Sequence, residues 1–159
     1  MTTSEILAGV IARDLRALRR EIESYPDDAS LWAKPDGVAN SGGALAHHLA
    51  GNLRHFVGTR LGGGDFVRDR AAEFAPGGLR REELVALVDV TLGDVERIIP
   101  ALGSDALEAE FPDPVAGQRV RTGAFLTHLA SHLAYHLGAI RQMNRSIRGP
   151  SEREAGRNE

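Results

Sequence analysis

The sequence predicts an all-α protein: a four-helix bundle with long loops between helices 1–2, 2–3 and 3–4. Three observations carry that prediction. Four segments repeat apolar residues at helical spacing, stretches rich in Gly, Pro and Asn separate them, and no segment shows the apolar–polar alternation of a half-buried strand.

The first helix is expected from about Ser4 to Tyr25, with Ile6, Val10, Leu15, Leu18 and Ile22 inward, Ser4 as N-cap and "YPDD" as its stop. The connection "LWAKPDGVANSGG" leads to a second helix from about Gly43 to Leu61, stopped by "GGG". After the loop "GGGDFVRDRAAEFAPGG", a third helix is expected over about Arg80 to Leu102, with Leu84, Leu87, Val88, Thr91, Val95 and Ile98 inward. A short strand or turn is expected around Pro112–Pro114, then a fourth helix from about Thr122 to Ile147. One domain is expected over residues 1–148, and the polar segment "GPSEREAGRNE", residues 149–159, is expected to be a disordered tail.

Composition narrows the function classes. A chain of 159 residues with 42% hydrophobic and 26% charged residues has the material for one sizeable core. Its net charge of −3 and the scatter of its 19 basic residues argue against nucleic acid as a partner. Without cysteine, neither a disulfide framework, a thiolate metal site nor a cysteine nucleophile is available. The segment "MTTSEILAGVIARDLRALRR" becomes charged too early for a signal-peptide core, and no apolar run approaches the roughly 20 residues of a membrane span. A cytoplasmic protein with no membrane partner is therefore expected.

The histidines are the unusual feature. All six lie in two nine-residue windows, His47 to His55 and His128 to His136. On a helical wheel His136 falls within the apolar stripe Phe125–Leu129–Leu133–Ile140–Met143–Ile147, His132 at its edge, and His128 rotated further toward solvent. Two imidazoles at i and i+4 can reach one ion, although the Glu of a helical H-E-x-x-H protease motif is missing. In the second helix His48, Asn52 and His55 share one side, beside the stripe Leu45–Leu49–Leu53–Phe56, while His47 points more nearly away. A ligand from this helix would complete a three-imidazole site with open positions for water or substrate. The competing reading is that these are ordinary hydrogen-bonded histidines of a helix interface.

Taken in order, "LAHHLAGNLRHFVG", "VRDRAAEF" and "HLASHLAYHLGAIRQMNR" resemble the DinB family of damage-inducible-protein-like four-helix bundles, over roughly residues 5–147. The resemblance implies a divalent metal, zinc or nickel foremost, held by His48 from the second helix and the pair His132 and His136 from the fourth. It makes His128 a supporting or structural residue, and it implies a homodimer. Ala139 stands where many members carry a Gln three residues after the last His, so any support that Gln gives is altered here.

Three neutral imidazoles leave a bound ion its full positive charge, able to acidify water or hold an anionic sulfur. A hydrolase also needs a positioned base, yet neither 41–61 nor 121–148 contains Asp or Glu; Asp69, Glu73, Asp94 and Glu96 are the candidates. Activation of an external thiol makes no such demand, and some relatives in the wider superfamily are thiol-dependent transferases or isomerases. The expected function is a metal-dependent, thiol S-transferase-like enzyme acting on a small-molecule substrate, with a metal-dependent hydrolase or a non-catalytic metal-binding bundle as alternatives. Arg68 and Arg70 are candidates for holding an anionic substrate, or else pair with Asp69 and Glu73 within their loop. Asn52 is a candidate to support a ligand histidine. Trp32 and Tyr135 are read as packing residues.

Overall fold

The structure, a computed structural model, describes residues 1–75 and 77–155, with side chains through residue 148. It is all-helical, with no strand among the described residues. Four long helices and three short ones follow in the order α1 (Thr3–Ser24), α2 (Asp28–Trp32), α3 (Gly42–Leu53), α4 (Arg70–Glu73), α5 (Arg81–Ile98), α6 (Ser104–Glu108) and α7 (Thr122–Ala155). The short helices occupy the connections that the sequence predicts as plain loops. Each is only four or five residues long, too short to display helical periodicity.

Helix α1 is capped two residues earlier than its apolar pattern suggests. Thr2, not Ser4, is the N-cap: its hydroxyl accepts from the Glu5 N–H, and the Glu5 carboxylate accepts from the Thr2 N–H, forming a capping box. Ser4 lies inside the helix, buried, with its hydroxyl 2.9 Å from that of Thr2. The inward face is Ala8, Ile11, Ala12, Leu15, Leu18 and Ile22, whereas Ile6 is exposed and Val10 half-buried. The expected stripe weighed large side chains and overlooked the small ones that let helices approach. Tyr25 ends the helix in an extended conformation that suits the following Pro26. Its ring is buried, and its hydroxyl donates to the Ile140 carbonyl on α7 at 3.1 Å.

Helices α1 and α3 each pack on both α5 and α7, so the four long helices enclose one continuous core. The inward residues expected on α5 are buried, except that Leu87 is half-buried. Helix α3 starts at Ser41, whose hydroxyl accepts from the Ala44 N–H, and beyond Leu53 it continues as a π-helical stretch over Arg54–Leu61. Together these two pieces span the second predicted helix. Wide i→i+5 turns are uncommon and often sit beside functional sites. This one begins a turn and a half after His48.

Before α7 the chain forms a small hairpin-like link. Phe111 N–H donates to the Val120 carbonyl at 2.8 Å, and Val115 and Gln118 exchange two bonds across a turn whose central residues, Ala116 and Gly117, both have positive φ. The rings of Phe111, Phe125 and Phe56 pack edge to face, with centroids 4.7–6.0 Å apart, and so tie this link and the start of α7 to the π-helical stretch. At the other end, Asn144 donates to Glu21 and Ser24 on α1. With both ends anchored, the register of α7 against α3 is set.

The backbone of α7 stays helical to Ala155, past the Ile147 end expected for the fourth helix. The Glu, Arg and Ala residues that follow Pro150 are good helix formers, which that expectation underweighted. The rest of the expected tail, residues 156–159, lies outside the described residues. Among the described residues, no helix is long and apolar enough to cross a membrane.

Candidate metal centre

Helix α3 carries His48 beside the buried Leu45, Leu49 and Leu53, and the residue is only 8% exposed. Across from it, α7 presents His132 and His136, both half-buried and one turn apart. The three rings stand nearly perpendicular to one another, at 81–88°, with centroids 4.6–5.9 Å apart. One ligand nitrogen from each lies within 4.8 Å of the other two, close enough to hold a single metal ion.

The donor chemistry fits such an ion. His48 Nε2 and His132 Nε2 face each other at 3.4 Å. Two nitrogens bound to one tetrahedral zinc at about 2.05 Å would be separated by about 3.3 Å. Burial first, then the neighbouring imidazoles, push the His132 pKa down to about 4, and burial and His48 lower that of His136. Both rings are therefore neutral at pH 7, with lone pairs available for a metal.

Behind His48 lies a buried network. Glu73, at the end of α4 and 1% exposed, places Oε2 2.9 Å from His48 Nδ1. Arg68 grips the same carboxylate bidentately, Nε donating to Oε1 at 2.6 Å and Nη2 to Oε2 at 2.9 Å. Burial alone would raise the pKa of Glu73, but the hydrogen bonds and charges of Arg68 and His48 outweigh it and hold the carboxyl below its ordinary value. An ionised carboxylate can only accept, so the His48 proton belongs on Nδ1 and the Nε2 lone pair faces the centre. Arg68 Nη2 also approaches Nδ1, at 3.1 Å, but an Nδ1 that carries the proton cannot accept, so this is packing. An imidazole backed by a carboxylate is the arrangement that fixes the tautomer and raises the basicity of histidine ligands to metals.

Gly51 makes room for that carboxylate. A Cβ at this position on α3 would lie 2.5 Å from Glu73 Oε1. The glycine thus lets Glu73 tuck against the helix one turn beyond His48.

The remaining candidates fall in different places. Arg68 is at the site and pairs with Glu73, its partner in the loop. Arg70 is exposed, its guanidinium 5.4 Å over the Phe74 ring. His128 is exposed and stacked between Phe125 and His132, with centroids 6.1 Å away on either side. Asn52 is half-buried, and its Oδ1 is buried without a protein hydrogen-bond partner. His47 is half-buried and its pKa is lowered by burial. His55 packs edge-on against Phe56 instead of joining the triad.

None of the four acids considered as a general base faces the space between the imidazoles. Glu73 meets the far nitrogen of His48, Asp69 caps α4, Asp94 pairs with Arg97, and Glu96 pairs with Arg16. The role of Glu73 is what sequence reasoning missed. It lies 25 residues from His48, and the only local signals were the Arg68–Glu73 spacing and a glycine one turn from His47, His48 and His55.

Trp32 acts in packing, its indole N–H donating to the Leu79 carbonyl at 2.9 Å. Tyr135, also read as a packing residue, is 75% exposed, and its packing includes the edge-on contact with the ring of His136. No curated protein matches the chain. The model of the DinB superfamily matches residues 11–140. With that match spanning most of the sequence, including both helices that carry the triad, the chain belongs to the DinB superfamily.

Proposed function

We propose that the protein is a metal-dependent enzyme of the thiol S-transferase type, built as a four-helix bundle, with His48, His132 and His136 holding one divalent ion, zinc or nickel. The observation that carries this reading is the pairing of three convergent imidazoles with the lack, among the described residues, of any carboxylate facing them. Bound there, the ion supplies a positive charge that favours the anionic form of a thiol or water at neutral pH. A low-molecular-weight thiol needs no protein base for this. Hydrolysis of an ester or amide ordinarily does, which makes the hydrolase reading the weaker one.

The protein's own residues perform the remaining tasks. Glu73 keeps the His48 proton on Nδ1, and Arg68 keeps Glu73 ionised. The depressed basicity of His132 and His136 keeps both free of protons. Asn52, one turn from His48 on α3 and with a buried acceptor that has no protein partner, is the candidate to bond a donor on a ligand or on bound water.

Two measurements test this. Elemental mass spectrometry should find about one ion per chain, lost in His48→Ala, His132→Ala and His136→Ala but kept in His47→Ala and His128→Ala. Cobalt-loaded protein titrated with a small thiol should develop a sulfur-to-metal charge-transfer band. One ion per chain without that band would leave a metal-binding bundle and end the transferase reading. Sedimentation velocity decides whether it works as a homodimer.

A further inference from the structure

Helix α7 has a second feature beside the triad, an apolar cleft of about 310 Å³ between its outer face, the start of α3 and the loop before it. Val38, Leu45, Tyr135, Ala139 and Met143 line it, and so does His136. Asn40 and Gln142 contribute polar groups, but among the described residues no Asp, Glu, Lys or Arg borders it. Val38 and Tyr135 are two of the few large apolar residues that stay exposed. The charges near the centre lie elsewhere, in the Arg68–Glu73 pair that meets His48. An ionic substituent entering the cleft would shed water without finding a counter-charge, whereas an apolar one gains about fourfold in affinity per methylene buried.

We propose that this cleft is the subsite for a neutral apolar group, alkyl or aryl, of a substrate whose reacting group lies at the triad. The assignment rests on the metal-enzyme reading above, because His136 is shared by the cleft and the triad. The cleft's volume, at the low end for small-molecule pockets, suits a group of modest size.

The test separates the two readings. Metal-free protein is titrated with hexan-1-ol while methyl resonances are followed by NMR. Saturable shifts at Leu45, Ala139 and Met143, with Ile6 and Val90 unmoved, are expected. Zinc-loaded protein is then titrated calorimetrically with alkyl hydroxamates, from acetohydroxamate to octanohydroxamate. The shortest reports the ion, and the gain per methylene, expected near fourfold until the cleft is filled, reports the subsite. Ala139→Phe, shown by thermal unfolding to be folded, should flatten that gain. Binding of acetohydroxamate with no gain along the series, and no hexanol shifts, overturns the subsite while leaving the metal centre. Hexanol shifts without acetohydroxamate binding would leave an apolar cleft with no ligand-accepting ion beside it, which overturns its assignment as a substrate subsite. Shifts at the same methyls that follow protein concentration instead of hexanol mean that a second copy of the chain covers this face, which also overturns the proposal.

Discussion

His48 reaches the centre from a helix face sealed from behind by Glu73 and Arg68, whereas His132 and His136 reach it from a half-open face of α7 with no carboxylate behind either ring. The first imidazole is oriented by a hydrogen bond before any ion arrives. The other two are oriented only by the helix that carries them and by ring packing, with His128 stacked on His132 and Tyr135 edging His136. A rigid i, i+4 pair needs little further support because its spacing is built into the helix. A lone ligand from another helix has no such partner, so the polar support is concentrated on it.

The sharpest way to break this comparison is to remove the support on each side. Glu73→Ala strands the Arg68 guanidinium, whose side chain is 14% exposed, and should destabilise the fold by about 3 kcal/mol in urea unfolding. Its affinity for zinc, measured by competition with a chelator, should fall about 10- to 100-fold. His128→Ala, which removes the ring stacked behind His132, should change that affinity less than about twofold, since stacking fixes no tautomer. Equal losses in the two variants would mean that the sides are not differently held.

A smaller effect comes from adding a methyl group on each side. Gly51→Ala and Gly138→Ala both introduce a better helix former, worth about 0.5–1 kcal/mol where there is space. At Gly138 nothing lies within 4 Å of the new Cβ, so the variant should be stabilised by about that amount with unchanged zinc affinity. At Gly51 the methyl would push against the Glu73 carboxylate. That variant should show no stability gain and a loss of about tenfold in zinc affinity, as expected for a displaced supporting carboxylate. A stabilised Gly51→Ala with full affinity would show that Glu73 can retreat without cost.

A further effect is in the pH dependence of the metal-free protein. Below pH 6.5 the unfolded chain binds a proton at His132 that the folded chain refuses until about pH 4, so stability should fall as pH drops through that window. Glu73 has the opposite chemistry and a later window. Its folded pKa lies below the ordinary 4.5, so its stabilisation is intact above that pH and is lost only as pH falls further. Urea unfolding from pH 7 to pH 3 should show both slopes, with His132→Gln flattening the first and Glu73→Gln the second. Identical profiles in all three proteins would refute this assignment of the two sides.

Much of this molecule was legible in the chain. Three of the four long helices begin within a residue or two of where their apolar periodicity and breakers place them, and α1 starts just ahead of its expected cap. Burial of Phe125, Leu129, Leu133, Ile140 and Met143, with His132 at the margin and His128 exposed, follows from 3.6-residue geometry alone, whereas His136, expected within the stripe, is half-buried because it faces the centre. The errors have local causes of their own. Ala8 and Ala12 were too small to count as a stripe, and α2, α4 and α6 were too short to show a period.

The sequence by itself determined the four long helices and the presence of a metal-competent His pair on the last of them. Its motifs, through their family resemblance, singled out His48 from its neighbours His47 and His55. Those properties depend on residues within a turn or two of each other, where covalent geometry sets the spacing. Tertiary structure decided that His48 Nε2 meets His132 Nε2 across 84 residues, that Glu73 rather than solvent holds its far nitrogen, that Arg68 is consumed in that task, and that an apolar cleft opens beside His136. Each of these depends on how α3 and α7 are registered against one another and on where the loop carrying α4 comes to rest. Core packing and the anchors at both ends of α7 settle those positions, and no local spacing encodes them.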